Sequence, residues 1–237
     1  MALSLSPDPS VLRGAEMFAR LDDAALKAVI EAGTVRRLAK GVHAFTQGDP
    51  GVTCHSLLHG RVKVVQTRPD GGQAVLRFIG PGEMYGTVAA LMGRPFPADA
   101  LAVVDSVEVY WTVETLRGLM LRFPEIAVGS AASAGGRLFE LQARLGELTA
   151  ERVEQRIARA LLRLVRQAGR KVPEGVEIDF PITRQELAEM SGSTLHTVSR
   201  TLSAWEHQGI LESTRRHIVV CRPHALVALA EDLAPSD

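Results

Sequence analysis

Residues 183–207, TRQELAEMSGSTLHTVSRTLSAWEH, permit few folds. Thr183 followed three residues later by Glu186 is a capping box, which predicts a helix from Arg184. Leu187, Ala188 and Met190 give that helix an apolar side, and Ser191-Gly192-Ser193 interrupts it. Ser193 or Thr194 then caps a second helix, Leu195 to about His207. Within it Leu195, Val198, Leu202 and Trp205 recur at spacings of three and four, which predicts one buried stripe. The opposite face carries His196, Thr197, Ser199, Arg200 and Ser203. A helix-turn-helix needs this division: the first helix packs, and the second lays a polar face in the major groove. Gly209 stops the second helix. Ile210-Leu211 and His217-Ile218-Val219-Val220 follow as two short strands, with Arg215 and Arg216 at the tip between them. That hairpin reads as a wing, and a basic tip suits phosphate.

The rest of the chain must supply what such a unit lacks. Lysine plus arginine number 27 and aspartate plus glutamate number 27, so no global positive field draws in nucleic acid and a local patch has to. At 237 residues two domains are expected. There is no long apolar run and hence no predicted membrane span. The start, MALSLSPDPS, reads as loose chain without the pattern of a signal peptide. Cys54 and Cys221 lie far apart in separate predicted domains, so a reduced, cytoplasmic protein without a disulfide is expected.

Val11 to Ala32 reads as helical in two pieces, with Asp22 capping the second. From Gly33 the period changes. Val35–Leu38, His43–Thr46, Cys54–Leu58, Arg61–Thr67, Gln73–Ile79 and Leu101–Trp111 all read as strands, most of them separated by glycine or proline turns. Evenly spaced short strands of this kind predict a small barrel or roll. Glu114 to Arg122 is a short helix. A long one follows, in which Ala127, Ala131, Ala134, Leu138, Leu141, Leu145 and Leu148 alternate steps of four and three. That heptad seam calls for a partner, and a parallel pair with a second subunit satisfies it better than packing on its own domain. Gly135-Gly136 sits inside the alanine half, where each glycine costs about 1 kcal/mol of helix relative to alanine. A further helix runs to about Ala168, Gly169 to Gly175 is a loop, Val176 to Phe180 a strand, and a short helix from His224 precedes a polar tail. The expected division is therefore 1–123, a sensing roll; 124–149, a dimerisation helix; and 150–237, a winged helix-turn-helix; the fold class is α+β.

This order, together with Ile182-Thr183-Arg184-Gln185-Glu186-Leu187-Ala188, Thr197-Val198-Ser199-Arg200, the run Glu151 to Ala158 and Gly82-Glu83-Met84-Tyr85-Gly86, resembles the Crp-Fnr superfamily of bacterial transcription regulators. The resemblance implies a cyclic-nucleotide-binding-like roll, a homodimer, a palindromic duplex operator and contact with RNA polymerase, with the choice between an activator's and a repressor's role left open. It places DNA contacts at Thr183, Arg184, Gln185, Ser193, Thr194, His196, Thr197, Ser199, Arg200, Arg215 and Arg216, and the dimer interface at Ala134, Leu138, Leu141, Leu145 and Leu148. The family's recognition helix usually reads E-x-x-[SG]-R; here His196 stands in the glutamate's place, as in a branch that H-x-x-S-R resembles, which regulates denitrification genes in response to nitric oxide. Arg200 suits guanine, while His196 cannot accept from cytosine N4 as glutamate does.

For the effector, the same resemblance marks Gly82, Glu83, Met84, Tyr85, Gly86, Thr87, Arg94, Pro97 and Ala98. Cyclic nucleotide needs a carboxylate for the ribose and an arginine fork for the phosphate. Here the carboxylate position is Thr87 and an ungapped count puts the phosphate pair on Pro97-Ala98, so cyclic AMP is disfavoured unless Arg94 substitutes. A four-thiolate iron–sulfur cluster is ruled out by two cysteines. Haem stays open, with His43, His55 or His59 as axial ligands, and the effector itself is not named by the sequence. Adjacent Cys54 and His55 point to opposite faces of a strand and cannot act as nucleophile and base, so no enzyme is expected. The rival from another class is a ligand-binding module whose winged helix contacts protein.

Overall fold

The computed structural model describes residues 8–69 and 71–233, of which 148–150 by backbone alone. A 3-10 turn, Pro9–Gly14, capped by Asp8, replaces the last part of the expected loose start; residues 1–7 lie outside the described residues. Then come α1 (Asp23–Glu31), β1 (Thr34–Leu38), β2 (His43–Phe45), β3 (Thr53–His59), β4 (Val62–Thr67), β5 (Gln73–Ile79), β6 (Met84–Tyr85), α2 (Thr87–Leu91), β7 (Asp99–Ala102), β8 (Ser106–Thr112), α3 (Val113–Arg122) and α4 (Glu125–Ala150). The C-terminal part holds α5 (Val153–Ala168), β9 (Gly169–Val172), β10 (Gly175–Ile178), α6 (Arg184–Ser191), α7 (Leu195–His207), β11 (Leu211–Ser213), β12 (Ile218–Val220) and α8 (Pro223–Glu231).

The roll is two four-stranded sheets, ordered β1-β8-β3-β6 and β2-β7-β4-β5. One core fills its interior, with Leu38, Leu57, Val62, Ile79, Tyr85 and Ala100. A second lies outside the first sheet, where Leu12, Phe18, Leu26 and Val29 pack on Trp111, Leu116 and Ile126, and the Trp111 indole N–H donates to the Val29 carbonyl at 2.7 Å. Gly82 has φ +80° and a Cβ there would sit 2.6 Å from the Val11 carbonyl oxygen, so only glycine joins β5 to β6 so close to the N-terminal turn.

Two expectations about strands fail. Leu101–Trp111 is two strands in different sheets, because the chain turns at residues 103–105: the Val103 N–H donates to the Arg61 carbonyl and the Asp105 carboxylate accepts from the Lys40 N–H. Gly169–Gly175 is a hairpin arm, β9, paired with β10 in a third sheet ordered β11-β12-β10-β9. A polar Gly-Arg-Lys run shows no strand pattern of its own and takes its extended shape from its neighbour.

The chain divides into two compact units. One ends at Glu140 and holds the roll; the other comprises Leu141 onward, with Gln73–Val75. At its start α4 is fixed to the roll by fully buried Ile126 and by Gly129, whose absent Cβ leaves room for Met17. Its other side is bare. Ala127, Ala131 and Ala134 are exposed, as are Leu138, Leu141 and Leu145 at 57%, 57% and 64%. The Leu148 side chain lies outside the described residues.

Candidate nucleic-acid interface and effector site

The Thr183 hydroxyl accepts from the Glu186 N–H at 3.1 Å, while the Glu186 carboxylate accepts from the Thr183 N–H at 2.9 Å. Helix α6 ends on Gly192 in the left-handed region, φ 60°. The Thr194 hydroxyl accepts from the Thr197 N–H at 3.2 Å and starts α7. Arg156 of α5 holds the turn, donating through Nε to the Ser191 carbonyl at 3.0 Å; a cation at a helix C-terminus also complements its dipole. Val198, Leu202 and Trp205 are buried, which aims the far side of α7 outward: His196 and Arg200 are exposed, Thr197 and Ser199 half-buried. Leu195 leaves the expected stripe. It is 47% exposed, because the first residue of α7 projects beyond the helices that cover the rest.

Beside it a groove is lined by Thr183, Arg184, Gln185, Leu195, Ser213, Thr214 and Arg215. The wing is β11 and β12, with Arg215 and Arg216 exposed at its tip and the Arg216 carbonyl accepting from the Ile182 N–H at 3.0 Å. Arg184 is engaged within the fold: it donates to the Glu206 carboxylate at 3.3 Å and the Ser213 hydroxyl at 2.9 Å, clamping α6, α7 and β11 together. Gln185 is exposed and bonded to Glu189, and Ser193 is half-buried in the turn.

In the roll, two of the residues that the resemblance marks for the effector, Met84 and Thr87, line a common cleft with α4. The Glu83 carboxylate accepts from the Gly80 N–H at 2.6 Å, and Gly86 caps α2 at φ 73°. Arg94 and Pro97 are exposed, and Ala98 is buried. Phe96 turns inward and stacks on Phe45, centroids 3.8 Å apart. His55 and Tyr85 join this cluster, centroids 5.1 Å apart. Glu108, fully buried, is its polar hub. The Arg36 Nε–H donates to it at 2.5 Å, the Tyr85 hydroxyl donates to it, and His55 Nδ1 lies 3.2 Å away. On the other side of the ring, Nε2 lies 2.9 Å from the Thr53 hydroxyl. Both nitrogens of His55 therefore have partners, while His43 and His59 are exposed. Cys54, on the other face of β3, is buried in the outer core, where burial pushes its thiol up to about 12.

Residues 35–123 match the cyclic nucleotide-binding domain and residues 155–229 the Crp-like helix-turn-helix domain. A "Cyclic AMP receptor protein" of Thermus thermophilus is 34% identical over 177 residues, covering 74% of this chain and 79% of the relative. The chain belongs to the Crp-Fnr family. Among solved structures, the Thermus thermophilus catabolite activator protein aligns at 30% identity and TM-score 0.54, covering 92% of this chain and all of that one. FixK2 from Bradyrhizobium japonicum aligns at 24% identity and TM-score 0.73 over 86% of this chain and 99% of its own, a likeness of fold.

A Crp-Fnr regulator carries a helix-turn-helix DNA-binding domain behind a cyclic-nucleotide-binding type of β domain, and both are present here. No helix among the described residues is long and apolar enough to cross a membrane. Three side chains that matter were missed by reading the sequence. Arg156 positions the helix-turn-helix from α5, and Glu206 from the last turn of α7, and no local pattern marks their distant partners. Leu195 is the third, and its place at the first position of α7, outside the packed body of the helix, was the available signal.

Proposed function

We propose that this Crp-Fnr chain is an effector-responsive regulator that binds a two-fold symmetric duplex as a homodimer and contacts RNA polymerase, with α7 as its recognition helix. The observation that carries this reading is the outward face of α7, where Arg200, His196 and Leu195 stand free of the core beside a basic wing tip. Two such helices on one side of a parallel dimer enter successive major grooves about 34 Å apart. Arg200 is assigned to guanine and Leu195 to a thymine methyl, an apolar contact for an apolar side chain. Arg215 and Arg216 are assigned to phosphate. Arg184, tied to Glu206 and Ser213, is assigned to holding the wing in place as much as to phosphate. A winged helix that contacts protein would have no use for this pairing of a base reader with a basic tip.

Selection from random duplexes, followed by affinity measurement on the selected site, tests this. Arg200→Ala is expected to cost about 1–3 kcal/mol and to relax preference at one base pair per half-site. Arg216→Ala should weaken every duplex alike and flatten the salt dependence. Uracil in place of the contacted thymine should cost roughly 0.8 kcal/mol, the worth of one methyl group. Equal weakening of specific and random duplexes by Arg200→Ala would remove Arg200 from the bases.

Cyclic AMP is not the proposed effector. Phe45 and Phe96 fill the roll beside the counted phosphate pair, and Arg94 faces solvent. Calorimetry is expected to show no micromolar site for cyclic AMP, and the appearance of one would return Arg94 to consideration as the phosphate clamp.

A further inference from the structure

The roll unit holds a second feature, a cleft of about 280 Å³ walled by Met17, Met84, Leu91 and Met92 and floored by Ala131 and Ala134 of α4. It shares no lining residue with the Phe45–His55–Tyr85–Phe96 cluster. Its size is just below the usual range of ligand clefts, about 300–1,000 Å³. Thioether walls adapt to irregular apolar shapes.

Two polar groups make it more than an apolar gap. Thr87 lines the cleft at 6% exposure, and its hydroxyl has no hydrogen-bond partner among the described residues. A buried hydroxyl in that state is unfavourable unless a bound group meets it. Arg137, also in the lining, donates to the Met84 carbonyl at 2.8 Å, where Arg77 donates too at 2.7 Å. Two guanidinium groups thus converge on one carbonyl oxygen. Burial lowers both pKa values, Arg77 to about 10, where Arg137 adds repulsion; Glu83 and Glu140 offset part of this. An anion beside Arg137 relieves both the desolvation and the repulsion.

We propose that this cleft binds a small amphipathic anion, an apolar body of medium-chain fatty-acid size whose carboxylate meets Arg137 and the Thr87 hydroxyl. The inference rests on the reading of the roll as the sensing unit and names the class of its ligand. The apolar walls suit an alkyl or aromatic body, and the single guanidinium at the rim sets the charge of the head.

Decanoate is the probe, titrated by calorimetry into the full-length protein, with decan-1-ol and decyltrimethylammonium as head-group controls. Decanoate is expected to bind roughly ten-fold or more tightly than decanol, the scale of a hydrogen bond to a charged group, and the cation not at all. Arg137→Gln, which keeps a donor for the Met84 carbonyl, should bring decanoate and decanol within about two-fold while decanol binding stays unchanged. Thr87→Val should weaken decanoate with thermal unfolding unaltered. Equal binding of all three amphiphiles would mean apolar adsorption and would overturn the proposal. So would decanoate that binds only a monomeric variant, because Ala131 and Ala134 also lie on the exposed seam and a partner helix would then be the occupant. Selective DNA binding measured alongside keeps the outcomes apart: decanoate can fail while the operator reading stands.

Discussion

Leu141→Asp combined with Leu145→Asp is expected to give a monomer in sedimentation at micromolar concentration. In a parallel pair of α4 helices both leucines bury against the partner, four side chains in all. Full burial is worth about 1.5–3 kcal/mol each, so about 6–12 kcal/mol of association is at stake. At 1.4 kcal/mol per decade the dissociation constant should rise by roughly four orders of magnitude or more. The exposure of both residues in the single chain, 57% and 64%, makes the readout clean, because neither supports its own unit. Circular dichroism should change little, while affinity for a two-half-site duplex should fall with the dimer and unfolding should lose its dependence on protein concentration. A dimer of unaltered affinity would place the interface elsewhere. The alanine half of the seam, with Gly135-Gly136, contributes less, so Ala134→Ser should be nearly silent.

Glu108→Ala should be the most damaging single change in the roll. It removes the acceptor shared by the Arg36 guanidinium, the Tyr85 hydroxyl and His55 Nδ1 at a site with no solvent access. Arg36 is 37% exposed and can turn to water, but the Tyr85 hydroxyl and His55 Nδ1 stay buried without their acceptor, at about 1–3 kcal/mol each. For a domain of this size the melting temperature should drop on the order of 10–20 °C. Glu108→Gln retains an acceptor and should lose less. Differential scanning calorimetry reads both, and an unchanged transition for Glu108→Ala would show that water replaces the carboxylate at little cost.

The elements that the sequence disclosed are those whose signals are local. Thr183 and Glu186 are three residues apart and form their box within one helical turn, so the start of α6 was legible to the residue. The heptad steps of α4 likewise describe one continuous helix. Periodicity misplaced Leu195 because a stripe says which face is apolar, and not where along the helix the covering domain stops. The turn at 103–105 was hidden by an apolar run that reads the same in one strand or two; what bends it is a pair of hydrogen bonds to Lys40 and Arg61, far away in the sequence. The filling of the roll was out of reach for the same reason. Phe45, His55, Tyr85, Phe96 and Glu108 come from separate strands and a loop, and their meeting depends on sheet order. Marking Pro97 and Ala98 by count therefore passed over Phe96 beside them.

The boundary between the two compact units falls inside α4, between Glu140 and Leu141, and the last turns of that helix belong with the DNA-binding part. There Arg144 donates to the Met190 carbonyl at the end of α6, and the Glu147 carboxylate accepts from Arg163 of α5 at 2.8 and 2.9 Å. Anyone cutting this protein for separate expression should heed that. A fragment begun at residue 151, where the helix visibly ends, would strip Arg163 of its carboxylate and Met190 of its cap. One begun near residue 140 keeps both, and is the piece to prepare when the DNA-binding half is wanted alone.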